Sequence, residues 1–325
     1  MISMVKTSVV VPVYNAQDEI GRTIDALLDQ DFNDSYEIIP VNDGSSDGTR
    51  EILEEYSEEH SKVKPVNQKN QGPAAARNHG AREAKGEYIL FTDSDCVPVK
   101  SWISEMTSSL EKNGVVGVQG RYECLNDDST LARFVQYEVE ERYERMEEEE
   151  SIDFIGSYSA GYDREVFLEV SGFDEDFRKA SGEDPELSYR LDKEGYRMIY
   201  NPNAIVKHEH PNSFFNYMGM NFDRGVWGRL LYKKHPDKKS GQSYNSFFYF
   251  LKIPLTLLLT LFVIFTIPVN FLYTIIFLIF LFLLHIQTSL YAARREKKFI
   301  FLGSLIIYFK FLFFALGIIK GYLKF

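Results

Sequence analysis

Over the first 240 residues, apolar and polar positions fall in blocks. Continuous apolar runs at Ser8–Val13, Tyr36–Val41, Tyr88–Thr92 and Val115–Gln119 read as strands covered on both faces. Between them, Ala16–Gln30 and Asp47–His60 carry apolar residues at helical spacing. Both begin just after a polar turn, as a capped helix does. An alanine-rich helix is expected from about Ala74 to Ala84, after the chain break at Gly72-Pro73. Strand, helix and strand in repetition predict an α/β fold with a mostly parallel sheet and right-handed crossovers. The opening stretch "MISMVKTSVVVPVYN" carries one lysine and no small-residue cleavage site, so it reads as a buried first strand, not a signal peptide.

After Ser240 the pattern changes. Phe248–Ile267, about Asn270–Ala292 and Phe299–Tyr322 are crowded with Leu, Ile and Phe. Each is long enough to span a hydrocarbon core of ~30 Å. They predict three transmembrane helices; the alternative is a buried helical hairpin of a soluble domain. Lys252 near an end and Lys310 inside the third run interrupt them, and Lys310 either snorkels or faces the bundle interior. Lys233, Lys234, Lys238 and Lys239 precede the first run, and Arg294, Arg295, Lys297 and Lys298 separate the second from the third. The connection at Pro268-Val269-Asn270 is uncharged. This bias puts the soluble part and the Arg294 loop on the cytoplasmic side, weakly opposed by Lys320 and Lys324. The expected division is an α/β domain over 1–212, an amphipathic interfacial helix and linker over 213–240, and a multi-pass membrane domain over 241–325.

Composition narrows the function. The formal net charge of −11 argues against a nucleic-acid binder. The two cysteines, Cys96 and Cys124, form no framework or metal spacing, so a reducing compartment is the default.

Four clusters sit where strands should end, the edge at which open α/β sheets bind ligands. "VVVPVYN" (Val9–Asn15) is a strand followed by a turn. In "VNDGSSDGT" (Val41–Thr49), Asp43 either faces a ligand or belongs to a capped turn. In "NQGPAAARNHGAREAKGEYILFTDSD" (Asn70–Asp95), Arg77 lies near a helix start, and small residues there allow close approach to the sheet. Asp93 and Asp95 end the following strand; in extended geometry both carboxylates point to one side. They are a solvated acidic turn, or they hold a hard cation such as Mg²⁺ or Mn²⁺ together with substrate phosphates. In "SGEDPELSYRLDKEGYRMIYNPNAIVKHEH" (Ser181–His210), Glu183 and Asp184 open a short helix that stops at Gly195, and a strand ends at His208. A carboxylate there is explained by the helix dipole or by general-base chemistry. His208 is either a structural residue or a metal ligand.

In order along residues 5–210, "VVVPVYN", "VNDGSSDGT", "GPAAARNHG", "FTDSD", "SGFDEDF" and "GEDPELSYRL" resemble the family 2 glycosyltransferases, which have the GT-A fold. The resemblance implies a metal-dependent, inverting transfer from a nucleotide-sugar donor, a UDP- or GDP-sugar. It implies donor contacts at Pro12, Val13, Tyr14, Asp43, Arg77, Asp93 and Ser94, with Asp43 on the base. Asn42 departs from the more usual acid at that place, which leaves nucleotide choice open. The resemblance further implies Asp95 as principal ligand of Mg²⁺ or Mn²⁺, shared with Asp93 and His208, and Asp184 as catalytic base. The expected acceptor is a hydroxyl of a membrane-associated, lipid-linked glycan. Polyprenyl-phosphate transfer, polysaccharide synthesis and an inactive scaffold are the rivals.

Two further helices bear on the acceptor side. "LARFVQYEVEERYERMEEEE" (Leu131–Glu150) reads as a solvated acidic face, or as a border of the acceptor site. "FFNYMGMNFDRGVWGRLLYKK" (Phe214–Lys234) reads as a helix lying in the membrane interface. Glu183, Arg224 and Trp227 are candidates for the acceptor side.

Overall fold

The structure is a computed structural model and describes residues 5–179, 181–240 and 243–325; residues 1–4 of the opening stretch lie outside the described residues. The chain divides into two compact units, Met1–Leu125 with Met146–Glu209, and Asn126–Arg145 with His210–Phe325.

In the first unit, β1 (Thr7–Val13), α1 (Ile20–Leu28), β2 (Tyr36–Asn42), α2 (Thr49–Glu59), a short β3 (Val66–Asn67), α3 (Pro73–Glu83) and β4 (Tyr88–Thr92) follow one another as the periodicity predicts. A short β5 (Val97–Pro98), α4 (Trp102–Leu110) and β6 (Val115–Cys124) come next. After an excursion into the second unit, β7 (Ser159–Asp163), α6 (Arg164–Glu169), α7 (Glu183–Lys193) and β8 (Arg197–His208) complete it. The strands form one sheet in the order β3-β2-β1-β4-β7-β6-β8-β5. β1 runs parallel to β2 and β4, β2 to β3, and β6 to β8, while β7 is antiparallel to both of its neighbours and β5 to β8. The result is the expected mixed, mostly parallel sheet with flanking helices. β2 and β4 are buried at every position, which explains their unbroken apolar runs. α3 lies flat on the sheet because of Gly80: a Cβ there would meet Val10 Cγ1 at 2.4 Å and Val41 Cγ2 at 2.9 Å. The carboxyl ends of β1 and β2 are in register at Val13 and Asn42.

The second unit is helical: α5 (Thr130–Glu147), α8 (Phe214–Lys234), α9 (Phe247–Thr266), α10 (Phe271–Ala293) and α11 (Phe299–Lys324). The last three are long and apolar enough to cross a membrane, by length and composition. One sequence expectation is corrected here. α5 is not a solvated face. Its Phe134, Glu138 and Arg142 are buried, because Phe134 packs on Phe299 with ring centroids 5.2 Å apart and Glu138 pairs with both Lys310 and Arg142. α8 also has a buried face. It buries Tyr217, Met218, Gly225, Trp227 and Leu231, because glycines let it touch α11 backbone to backbone. A Cβ on Gly225 would lie 2.1 Å from the Phe314 carbonyl oxygen, and one on Gly317 would lie 2.1 Å from that of Phe222. Lys310 does not snorkel: it is buried against Glu138.

Candidate active site

The loops after β1 and β2 knit together. Asn15, in the left-handed region at φ 49°, accepts a hydrogen bond from the Ser46 amide at 2.8 Å, and its own amide donates to Ser45 Oγ at 2.9 Å. Val13 is buried and its carbonyl accepts from the Asp43 amide at 2.8 Å, while Tyr14 is exposed beside the half-buried Pro12. Asn42 donates to Asn67 at 2.9 Å and accepts from the Ser45 amide at 3.0 Å. A carboxylate could not do both, which gives the amide at this place a structural reason. Asp43 is buried and accepts from Gln68 at 2.7 Å and from the amides of Gln71 and Gly72 at 2.8 Å. Its carboxylate therefore shapes the 68–72 loop, which the sequence did not reveal. Gly72 itself, at φ 95°, has no room for a side chain against the Arg178 carbonyl.

At the end of β4 the extended geometry stops. The Cys96 amide donates to the Asp93 carbonyl at 3.1 Å, making a turn, so the two carboxylates take different partners. Arg77, buried in α3, donates to Asp93 at 2.7 Å and to Glu183 at 3.1 Å. Asp95 lies 3.4 Å from His208 Nδ1, at the end of β8. Burial alone would raise the Asp95 carboxyl, but the bond to His208 outweighs it and holds the group below its ordinary range. Burial would likewise lower His208, yet Asp95 pushes it up. Ser94 contributes its carbonyl to Thr23 at 2.8 Å.

Glu183 and Asp184 open α7 as expected, with unlike surroundings. Glu183, a candidate for the acceptor side, is buried and fully engaged: it accepts from Arg77 and from the amides of Ser181 and Gly182 at 2.9 and 3.0 Å. These partners hold its carboxylate at the start of α7, away from solvent. Asp184 is partly exposed. Its Oδ2 accepts from the Ser157 amide at 3.0 Å, while its Oδ1 is enclosed and has no hydrogen-bond partner among the described residues. Burial, with Glu183 adding repulsion and Arg77 opposing it, pushes the Asp184 carboxyl up to about 7. Arg77 Nε is also enclosed without a partner among the described residues. Enclosed polar atoms left unpaired are costly, and a ligand group beside them removes that cost. Of the two remaining acceptor-side candidates, Arg224 is exposed on α8. Trp227 is buried, 5.2 Å from the Phe325 ring and with Lys324 Nζ 3.9 Å over its face.

The turn after β4 and the end of β8 together offer ligand atoms for a divalent ion. One ligand atom each from Asp95, Cys96 and His208 lie within 4.8 Å of one another. A carboxylate with an imidazole, beside a second carboxylate on Asp93, fits Mn²⁺ or Mg²⁺ completed by substrate oxygens. Cys96 is buried in the apolar core and its thiol is pushed up by burial, which suits packing. The sequence did not reveal the aromatic stack that fixes His208: Tyr122 lies 5.0 Å from its ring and 3.6 Å from Tyr158, both near-parallel. Tyr158 follows the Ser157 that holds Asp184, so the stack connects the two ends of the site.

A family model described as glycosyl transferase family 2 matches residues 8–171. The chain is 33% identical over 217 residues to the uncharacterized glycosyltransferase EpsJ of Bacillus subtilis, covering 63% of this chain and 62% of that protein. It is 33% identical over 128 residues to WfgD of Escherichia coli, described as a UDP-Glc:alpha-D-GlcNAc-diphosphoundecaprenol beta-1,3-glucosyltransferase, covering 39% of this chain and 50% of that protein. The matches thus span less than two thirds of these relatives. Among solved structures, the mannosyltransferase PcManGT from Pyrobaculum calidifontis, in complex with GDP-Man and Mn²⁺, superposes with a TM-score of 0.65 at 18% identity, covering 98% of this chain and 87% of that one. S. aureus TarS 1–349 follows with a TM-score of 0.52 at 18% identity, covering 94% and 89%. These likenesses concern the fold, and the matched family model covers half of the sequence, including the ends of β1, β2 and β4: the chain belongs to glycosyl transferase family 2.

Proposed function

We propose that this protein is an inverting, metal-dependent glycosyltransferase that moves a sugar from a UDP- or GDP-sugar to a hydroxyl of a membrane-associated, lipid-linked glycan. The observation that carries the reading is the pairing of roles in one unit. Asp95, Cys96 and His208 offer ligand atoms within 4.8 Å of one another, and Asp184 has a carboxyl poised near 7 with an enclosed oxygen that has no partner among the described residues. The described activity of one relative, WfgD, on a UDP-sugar and a diphosphoundecaprenol-linked acceptor, and the GDP-Man and Mn²⁺ held by PcManGT support the substrate classes.

In this reading Asp184 accepts the proton of the acceptor hydroxyl as its oxygen attacks the anomeric carbon. The bond from that carbon to the diphosphate breaks on the opposite face, its electron pair leaves with the nucleoside diphosphate, and configuration inverts. A base whose pKa lies near the working pH suits this step. Asp95 and His208, with Asp93, would hold Mg²⁺ or Mn²⁺, which supplies Lewis-acid stabilisation of the charge on the departing diphosphate. Arg77 bridges Asp93 and Glu183 and offsets part of their repulsion, so the acidic ends of β4 and α7 coexist. A phosphate acceptor is already ionised and needs no base, so the placement of Asp184 favours a hydroxyl. The apolar α9 and α10 anchor the protein, with the basic Arg294–Lys298 stretch on the cytoplasmic face.

The test is nucleoside diphosphate release from a panel of nucleotide sugars with Mg²⁺ or Mn²⁺ and a membrane lipid extract. The proposal expects release with at least one donor, dependent on the ion and on the extract. Release from no donor would count against it.

A further inference from the structure

The third apolar helix does not have the surroundings of a lipid-embedded span. Half of its apolar window is buried by protein, against 11% for α9 and 17% for α10. Two helices rich in full charges lie along it. α8 runs parallel to its second half: Phe214 packs on Phe309 at 5.6 Å, Gly225 meets Phe314 and Gly317, Gly321 meets Val226, and Lys233 Nζ reaches the Phe325 carbonyl at 2.9 Å. Over that stretch α8 carries Asp223, Arg224, Arg229, Lys233 and Lys234. α5 lies against the first half, through Phe134 on Phe299 and Glu138 on Lys310, and carries Glu140, Glu141, Glu144 and Arg145 beyond those contacts. If α11 crossed the bilayer, these charged helices would be drawn into hydrocarbon with it, where each full charge is strongly disfavoured.

The opposite face of α11 is apolar. Phe301, Leu305, Leu316, Ile319 and Leu323 are exposed at spacings that keep them on one side of a helix. Lys297, Lys298, Lys320 and Lys324 flank this stripe, as cations do at a surface of anionic headgroups.

We propose that α11 is not a transmembrane span. It lies along the membrane surface with its Phe301–Leu323 stripe turned into one leaflet, while α9 and α10 alone cross, as a hairpin around 267–270. This rests on the membrane attachment proposed above. The bilayer is the occupant because the stripe continues the lipid-facing surface of the hairpin: Ser304 bonds Ser289 at 3.1 Å, and Phe311 stacks on His285 at 5.3 Å. In this arrangement Lys320 and Lys324 stay on the side of Arg294 and Arg295, and their conflict with the charge bias disappears.

Single-cysteine reporters in the full chain test this. Lys297→Cys, Val269→Cys and Lys324→Cys, all at exposed positions, are treated with a membrane-impermeant maleimide in intact cells and in inverted membrane vesicles. The wild type, with Cys96 buried and Cys124 half-buried, sets the background. The expected result is labelling of Lys297→Cys and Lys324→Cys from the same side and of Val269→Cys from the other. Labelling of Lys324→Cys from the Val269 side, or from neither side, overturns the surface placement of α11. Labelling of all three from one side overturns the crossing assigned to the hairpin. Fractionation before labelling separates a different failure: a chain absent from the membrane fraction would sink the attachment itself.

Discussion

The guanidinium of Arg77 donates to Asp93 at 2.7 Å and to Glu183 at 3.1 Å, so one buried cation ties the end of β4 to the start of α7. Arg77→Met leaves Glu183 buried without its cation, and breaking such a pair costs about 3–5 kcal/mol. Arg77→Lys cannot reproduce the two-armed contact and falls between wild type and the methionine variant. Thermal unfolding of the three proteins checks this order. In Arg77→Lys and Arg77→Met, chemistry that depends on Asp184 should also shift its rising limb to higher pH wherever the charge at Asp184 is less well offset.

Asp184 holds its proton to about 7 in the folded chain, against an ordinary 3.8. Catalysis by its ionised form should therefore rise with pH around that value. Asp184→Asn should lower transfer by about 10²–10⁴-fold while nucleotide binding persists. The stability consequence has the opposite sign. Between 3.8 and about 7 the folded state binds the extra proton, so wild-type stability falls as pH rises through this window. Asp184→Asn removes that fall. Its Tm should exceed the wild type's above the window, by at most about 4 kcal/mol in stability, and the gap should close below it.

Asp95, in the turn after β4, and His208, at the end of β8, lie 3.4 Å apart. Asp95→Ala and His208→Ala should each weaken Mn²⁺ binding by about tenfold or more, read by calorimetry without any substrate turnover. Cys96→Ser should leave Mn²⁺ affinity unchanged, since a hard ion does not favour sulfur. A loss confined to Cys96→Ser would reassign the site.

In the second unit, Glu138 accepts from Lys310, Arg142 and, at 2.8 Å, Tyr217. The two partners of this pair are not equivalent. Lys310→Met leaves Glu138 paired with Arg142 and should be nearly neutral, whereas Glu138→Ala leaves two buried cations facing each other and should cost about 3–5 kcal/mol. Thermal unfolding in detergent distinguishes them.

Much of the site could be read from the sequence because strand ends are local signals. Apolar runs stop at Val13, Asn42 and Thr92, and the polar residues just beyond them lie where the sheet edge requires. What could not be read depends on distant partners. Asp43 is occupied by amides 28 and 29 residues away. Glu183 is sealed by Arg77, 106 residues earlier in the chain. The acidic look of α5 hid a buried face, since Phe134 and Glu138 find partners at Phe299 and Lys310 only once the C-terminal helices have folded. Likewise, the close packing of α8 on α11 depends on glycines at 225 and 317, far apart in the chain.

Sugar transfer with Asp184 as base is checked by donor turnover in paired proteins. Nucleoside diphosphate release is measured for wild type and Asp184→Asn on one nucleotide sugar with Mn²⁺ and lipid extract. The expected result is rapid release by the wild type and near-complete loss in the variant, with donor affinity retained. Equal release by both proteins would contradict it.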